Sequence, residues 1–154
     1  MQVFISYSLA IDQLVALRLQ TMAAVYGLTV YVPPATTRQT FDSGLSREVE
    51  DRLKESDVIL AVMMHNPAAS AVSEMNAALT YGKLLIPIVS PSVSAEYYAA
   101  FQPHFVLNLA DPSQTESAIV RFLAERQQTN HSQAALVALT TLALGLILFS
   151  SNSK

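Results

Sequence analysis

Gln2-Val-Phe-Ile-Ser-Tyr-Ser8 is the stretch from which the fold can be read. Val3, Phe4 and Ile5 are contiguous and β-branched or aromatic, the composition of a strand covered on both faces, central in a parallel sheet. Ser6, Tyr7 and Ser8 follow where the apolar run ends. Open α/β sheets bind ligands outside the carboxyl ends of their strands. These hydroxyls therefore mark the expected working rim.

Working outward, apolar runs alternate with helical patterns. Ala10 to Tyr26 carries Ile11, Leu14, Val15, Leu17, Met22, Ala23 and Val25, which predicts a helix burying those residues as one stripe, opened near Asp12 and ended by Gly27. Leu28 to Val32 reads as a second strand, stopped by Pro33-Pro34. A polar loop with one aromatic, Phe41, runs from Pro34 to Gly44. Leu45 to Glu55 is a charged helix with Leu45, Val49 and Leu53 on one face. Val58 to Met64 is a third, wholly apolar strand closed by His65-Asn66-Pro67. Ala68 to Tyr81 is a helix ended by Gly82, and Leu84 to Val89 a fourth strand. Ser94 to Phe101 reads as a short helix and His104 to Asn108 as a fifth strand. Asp111-Pro112 opens a last helix to about Gln127. Such alternation predicts an α/β domain with a flavodoxin-like five-stranded parallel sheet, order 2-1-3-4-5, and helices on both faces.

The chain has 154 residues, room for one ordinary domain. Its net charge is −3 with no basic block, which excludes a nucleic-acid surface. There are no cysteines, so thiolate metal sites, disulfides and cysteine nucleophiles are all excluded. Met1 to Ile5 has neither the basic nor the long apolar region of a signal peptide, and the globular part is expected in the cytoplasm. Charged residues make up only 14%. Part of that deficit lies in the tail, where Ala134 to Phe149 is an uncharged run that as a helix would span roughly 24 Å. A domain over 1–127, a linker over 128–133 and a transmembrane helix over 134–150 are the expected organisation, anchoring the protein to the inner cell membrane. Ala134, Ala138, Thr141 and Gly145 would give that helix a seam of small residues.

Few motifs could carry chemistry. The three histidines, His65, His104 and His131, are far apart and have no acid at ligand spacing, so no metal site is expected. The glycines are isolated, which argues against a phosphate loop, and there is no nucleophile elbow. Glu74 stands out as a single carboxylate in Ala68 to Leu79, a stretch of small and uncharged residues. Its place early in the helix after the third strand sets it near the same rim as Tyr7 and Ser8. Such surroundings favour a raised pKa, of the kind that concentrates at functional sites, but from the residues alone a plain surface acid is the stronger reading.

Val3-Phe-Ile-Ser-Tyr-Ser8, Asp12, Gly27-Leu-Thr-Val, Glu55-Ser-Asp-Val-Ile-Leu, Ser70 with Glu74, and Lys83-Leu-Leu-Ile-Pro-Ile together resemble the TIR (Toll/interleukin receptor) domain, in order and spacing, over residues 2 to about 126. The resemblance is strongest to bacterial TIR and TIR-like proteins. It implies NAD+ hydrolysis or cyclisation, active on self-assembly, with NAD+ as substrate rather than cofactor. The implied catalytic residue is Glu74. Tyr7, Ser8 and Leu9 are implied to line the nucleotide cleft, with Arg38, Phe41 and Asp42 in the gating loop and Ser70 one turn before the glutamate. Two positions depart from the family: many TIR enzymes have tryptophan where Ser70 stands, and some have arginine where Ser8 stands. In bacteria such proteins are immune effectors or signal producers in antiphage defence, so a homo-oligomer and a downstream effector sensing a cyclic product are implied as partners. The alternatives are a non-enzymatic TIR scaffold assembling at a membrane and a nucleoside deoxyribosyltransferase-like enzyme.

Overall fold

The computed structural model describes residues 1–34 and 45–130. The expected loop residues Arg38, Phe41 and Asp42, His131, and the apolar helix expected over 134–150 lie outside them. Five strands, β1 (Gln2–Tyr7), β2 (Thr29–Tyr31), β3 (Val58–Met63), β4 (Leu84–Val89) and β5 (Phe105–Val106), run parallel in the order 2-1-3-4-5. β3, buried at every residue, is the middle strand, and β1 lies between it and β2. In register, Phe4 stands between Tyr31 and Ile59, and Met63 opposite Val89.

Pleating sends alternate side chains to opposite faces. Phe4, Ile59, Ala61, Met63, Leu85 and Val89 form one core cluster with Val49 and Leu53 of α2 (Arg47–Glu55) and Met75 and Ala78 of α3 (Ala69–Thr80). Val3, Ile5, Leu60, Val62, Ile86 and Ile88 are equally buried on the other face. There α1 (Ala10–Val25) covers β1 and β3. A further helix, α4, occupies residues 112–130. The chain divides into two compact units, Met1–Val120 with the sheet and Arg121–Lys154.

The rotation of α1 differs from the sequence expectation. Its buried residues are Asp12, Ala16, Leu19 and Ala23, spaced four-three-four along one stripe. Of the apolar stripe expected, Ala23 alone is buried; Ile11, Leu14, Leu17 and Val25 are 53, 61, 44 and 83% exposed. The physical reason is Asp12. Its carboxylate is hydrogen-bonded under the rim, which turns the residues in line with it onto the sheet. Small Ala16 and Ala23 then let the helix sit close over the bulky β-branched strands.

Four elements also differ in extent from the expectation. β2 and β5 are shorter than Leu28–Val32 and His104–Asn108, as befits edge strands with one partner each. The helix expected over Ser94 to Phe101 is a single 3-10 turn, Ala95–Tyr97, followed by turns. So short a helix is costly to nucleate. Tyr97, Tyr98 and Phe101 pack against the core cluster. α2 begins at Arg47, with Ser46 as its cap: the Val49 N–H donates to Ser46 Oγ at 3.2 Å.

Gly27 and Gly82, expected as helix stops, adopt φ of +70° and +66°. A Cβ at Gly82 would meet nothing within 4 Å. Gly82→Ala should thus cost only the left-handed backbone strain, about 1–2 kcal/mol. Leu53→Ala, at a fully buried core position, should cost about 2–5 kcal/mol. Urea unfolding that ranks the two in the opposite order would contradict this account of the fold.

Candidate functional site

The carboxyl rim is built first by Asp12. Its Oδ2 accepts from the N–H groups of Ser8 at 3.1 Å and Leu9 at 2.7 Å, and its Oδ1 accepts from the N–H of Met64 at 2.8 Å. Bonds of this kind to a carboxylate are about twice as strong as neutral ones. They explain how Asp12 can be 1% exposed. One side chain therefore joins the β1–α1 turn to the end of β3, between which the rim opens.

Hydroxyls extend the same construction. Ser8 Oγ accepts from the Ala68 N–H at 3.1 Å, tying the end of β1 to the head of α3. Ser90 Oγ and Ser92 Oγ both donate to the Met64 carbonyl, at 2.6 and 2.9 Å. Asn66 Oδ1 accepts from the Ser94 N–H at 2.9 Å. The loops after β3 and β4 are thereby clamped together.

Glu74 lies in the second turn of α3 and is 2% exposed. Its Oε2 accepts a hydrogen bond from Ser6 Oγ at 2.5 Å. The surroundings expected from its own helix, small and apolar, leave out this hydroxyl, which comes from 68 residues away. Ser6 shares its pleat face with Phe4, whose cluster includes Met75 and Ala78 of α3. That parity in β1 was the signal available in the sequence for pairing Ser6, rather than Tyr7, with the glutamate. Tyr7 projects from the opposite face, and its hydroxyl donates to the Pro33 carbonyl at 2.5 Å. It pins the chain leaving β2.

Of the residues expected at the site, Glu74, Ser8 and Ser70 do gather around the first turns of α3. Ser70 is exposed one turn before Glu74, a spacing that puts both on one side of the helix. Leu9 is 43% exposed at the head of α1, where its N–H serves Asp12. From β2, Tyr31 brings its ring 5.6 Å from that of Phe4 and donates from its hydroxyl to Glu48 at 3.1 Å. Burial first, then the bond to Glu48 and the charges of Glu48 and Glu74, push the Tyr31 phenol up to about 12 against the opposing charge of Arg52. Tyr31 is thus a neutral donor at any physiological pH. His104, at 2.8 Å from the Phe101 carbonyl and edge-on to Tyr98, is part of the packing. Among the described residues, no group of three or more His, Asp and Glu side chains is placed to hold a metal ion. Nor is any described helix long and apolar enough to cross a membrane.

No protein-family model and no curated protein matches the chain. Solved structures do. The sugar isomerase domain of an RpiR transcription factor from Sphaerobacter thermophilus is similar with a TM-score of 0.52 at 15% identity, over 92% of this chain and 78% of that one. A CMP N-glycosidase, BcmB, from Clostridium botulinum is similar with a TM-score of 0.50 at 17% identity, over 80% of this chain and 98% of that one. A 2-deoxyribosyltransferase from Bacillus psychrosaccharolyticus gives 0.49 at 12% identity, over 68% and 85% of the two chains. The first two similarities establish a shared α/β fold.

Asp12→Ala leaves three backbone donors without their acceptor and should cost about 3 kcal/mol or more. Asp12→Asn keeps one acceptor oxygen but turns an NH2 group towards N–H donors, and should fall between. Chemical denaturation of the three proteins checks the order.

Proposed function

We propose that the protein cleaves the N-glycosidic bond between nicotinamide and ribose in NAD+, with Glu74 as the catalytic carboxylate. One observation carries the reading: a buried glutamate on the helix after β3, oriented by the Ser6 hydroxyl at the carboxyl rim of β1. Cleavage of a ribosyl C–N bond passes through an oxocarbenium-like state, which a fixed carboxylate stabilises at C1′ or by accepting from a ribose hydroxyl. Nicotinamide departs neutral, carrying the bonding electrons, so no strong general acid is required. Water then adds to C1′ and loses a proton, giving ADP-ribose; attack by an adenine nitrogen instead gives a cyclic isomer. The order of the TIR-like motifs supports NAD+ as substrate. The fold it has in common with a CMP N-glycosidase is one that accommodates this class of bond cleavage.

In this reading Ser6 is a positioning residue: its hydrogen bond holds the carboxylate in one orientation. Glu74 is 2% exposed, so substrate entry requires what covers it to move. That requirement agrees with an enzyme active only on self-assembly, held at the inner membrane by the segment 134–150. The same burial, with Ser70 in place of a stacking aromatic, favours the second reading, a TIR-like scaffold that assembles at a membrane through homotypic contacts without catalysis.

The test is NAD+ consumption by the full chain held in liposomes, with products separated and Glu74→Gln and Ser6→Ala beside it. Glu74→Gln should lower the rate by on the order of 10²–10³-fold or more while leaving the fold intact. Ser6→Ala should lower kcat by roughly tenfold with KM little changed, because the carboxylate loses the donor that fixes its orientation. Turnover that survives Glu74→Gln would remove the proposed catalyst. An inactive parent would favour the scaffold, and cleavage of CMP or a deoxynucleoside in place of NAD+ would reassign the substrate.

A further inference from the structure

The rotation that Asp12 imposes on α1 leaves part of the helix's apolar surface facing a groove. Leu14, Leu17, Arg18 and Met22 of α1 and Ser113 and Glu116 of α4 line a space of about 430 Å³. Leu14 and Leu17 are 61 and 44% exposed, so its walls are apolar and open. Glu116 is the opposite: it is 0% exposed, and burial pushes its carboxyl upward against the opposing charge of Arg18. Arg18 Nη2 stands 2.9 Å from Glu116 Oε2, while its own side chain is 48% exposed. Oε2 has this ion pair, and Oε1 has no hydrogen-bond partner among the described residues. A buried carboxylate in that condition is costly. An apolar cleft with a few convergent polar groups is the usual form of a small-molecule site.

We infer that this groove binds an uncharged small molecule that presents a carboxamide, or an equivalent adjacent donor and acceptor, on an apolar body. The pair on the protein dictates the pair on the ligand. Glu116 needs a donor at its unserved oxygen, and Arg18 has N–H groups left to offer an acceptor. The ligand is uncharged because the guanidinium already balances the carboxylate. An added ammonium would leave one cation without a counter-charge, and an added carboxylate would set two anions around one guanidinium. The leucine walls and Met22 take the apolar body. α1 and α3 cover opposite faces of the sheet, so the groove does not belong to the Glu74 site and its occupancy does not depend on the reaction proposed there.

Benzamide, benzylamine and benzoate present one ring with a neutral, a cationic and an anionic head, and their binding to the full chain can be read by ligand-observed NMR and calorimetry. Benzamide should bind saturably, and each charged probe about tenfold or more weaker. Leu14→Glu and Glu116→Leu should each weaken benzamide by about tenfold or more. Leu14→Glu alters an exposed wall residue, so it decides the matter alone should Glu116→Leu fail to fold. Absence of saturable benzamide binding, equal binding of the charged probes, or benzamide binding indifferent to Leu14→Glu would each overturn the assignment.

Discussion

A single buried carboxylate organises this domain. Asp12 accepts from three backbone N–H groups belonging to the β1–α1 turn and to the residue just after β3. Those donors would otherwise be orphaned at a helix N-terminus and a strand end. The arrangement draws β1 and β3 together at their carboxyl ends. It also fixes α1 about its own axis, since Ala16, Leu19 and Ala23 follow Asp12 along the buried stripe. The stripe on the sheet and the stripe in solvent are consequences of one polar anchor rather than of hydrophobicity.

The two faces of the sheet then divide the labour. On one, α2 and α3 close over Phe4, Ile59 and Met63, and this packing carries Glu74 to Ser6. On the other, α1 covers the aliphatic face of β1 and β3 while keeping Leu14 and Leu17 outside. The rim between is stiffened by serines bonded to main-chain groups. Ser8 holds the head of α3, and Ser90 and Ser92 hold the Met64 carbonyl. In the reaction proposed above, such stiffness would set the carboxylate's orientation before a cation develops.

Hydroxyl groups here exchange the roles that position alone would assign. Tyr7 and Ser8 stand where ligand-facing residues stand in open α/β sheets, yet Tyr7 donates to Pro33 and Ser8 accepts from Ala68. Ser6, one residue earlier, makes the contact with Glu74. A shift of one residue along a strand reverses the face. The strand could be located from its composition, but which of its hydroxyls met the glutamate depended on which helix lay over which face.

Strong local signals survive folding unchanged in this chain. Contiguous apolar runs became β1, β3 and β4 because a run without polar interruptions has to be buried on both faces. Gly27 and Gly82 ended their helices because only a residue without a Cβ takes positive φ cheaply. The α/β alternation, the sheet order and the placing of Glu74 early in α3 were all legible from such features. The tertiary structure decided what depended on partners distant in sequence. It chose the stripe that α1 buries through Asp12 and Met64, and it supplied the Ser6 hydroxyl to Glu74. It set Glu116 against Arg18, and it reduced the expected helix at Ser94 to one turn. Hydrophobic patterning specifies how much of a helix is apolar. The direction in which that surface points is settled by the polar groups that must find partners once the layers close.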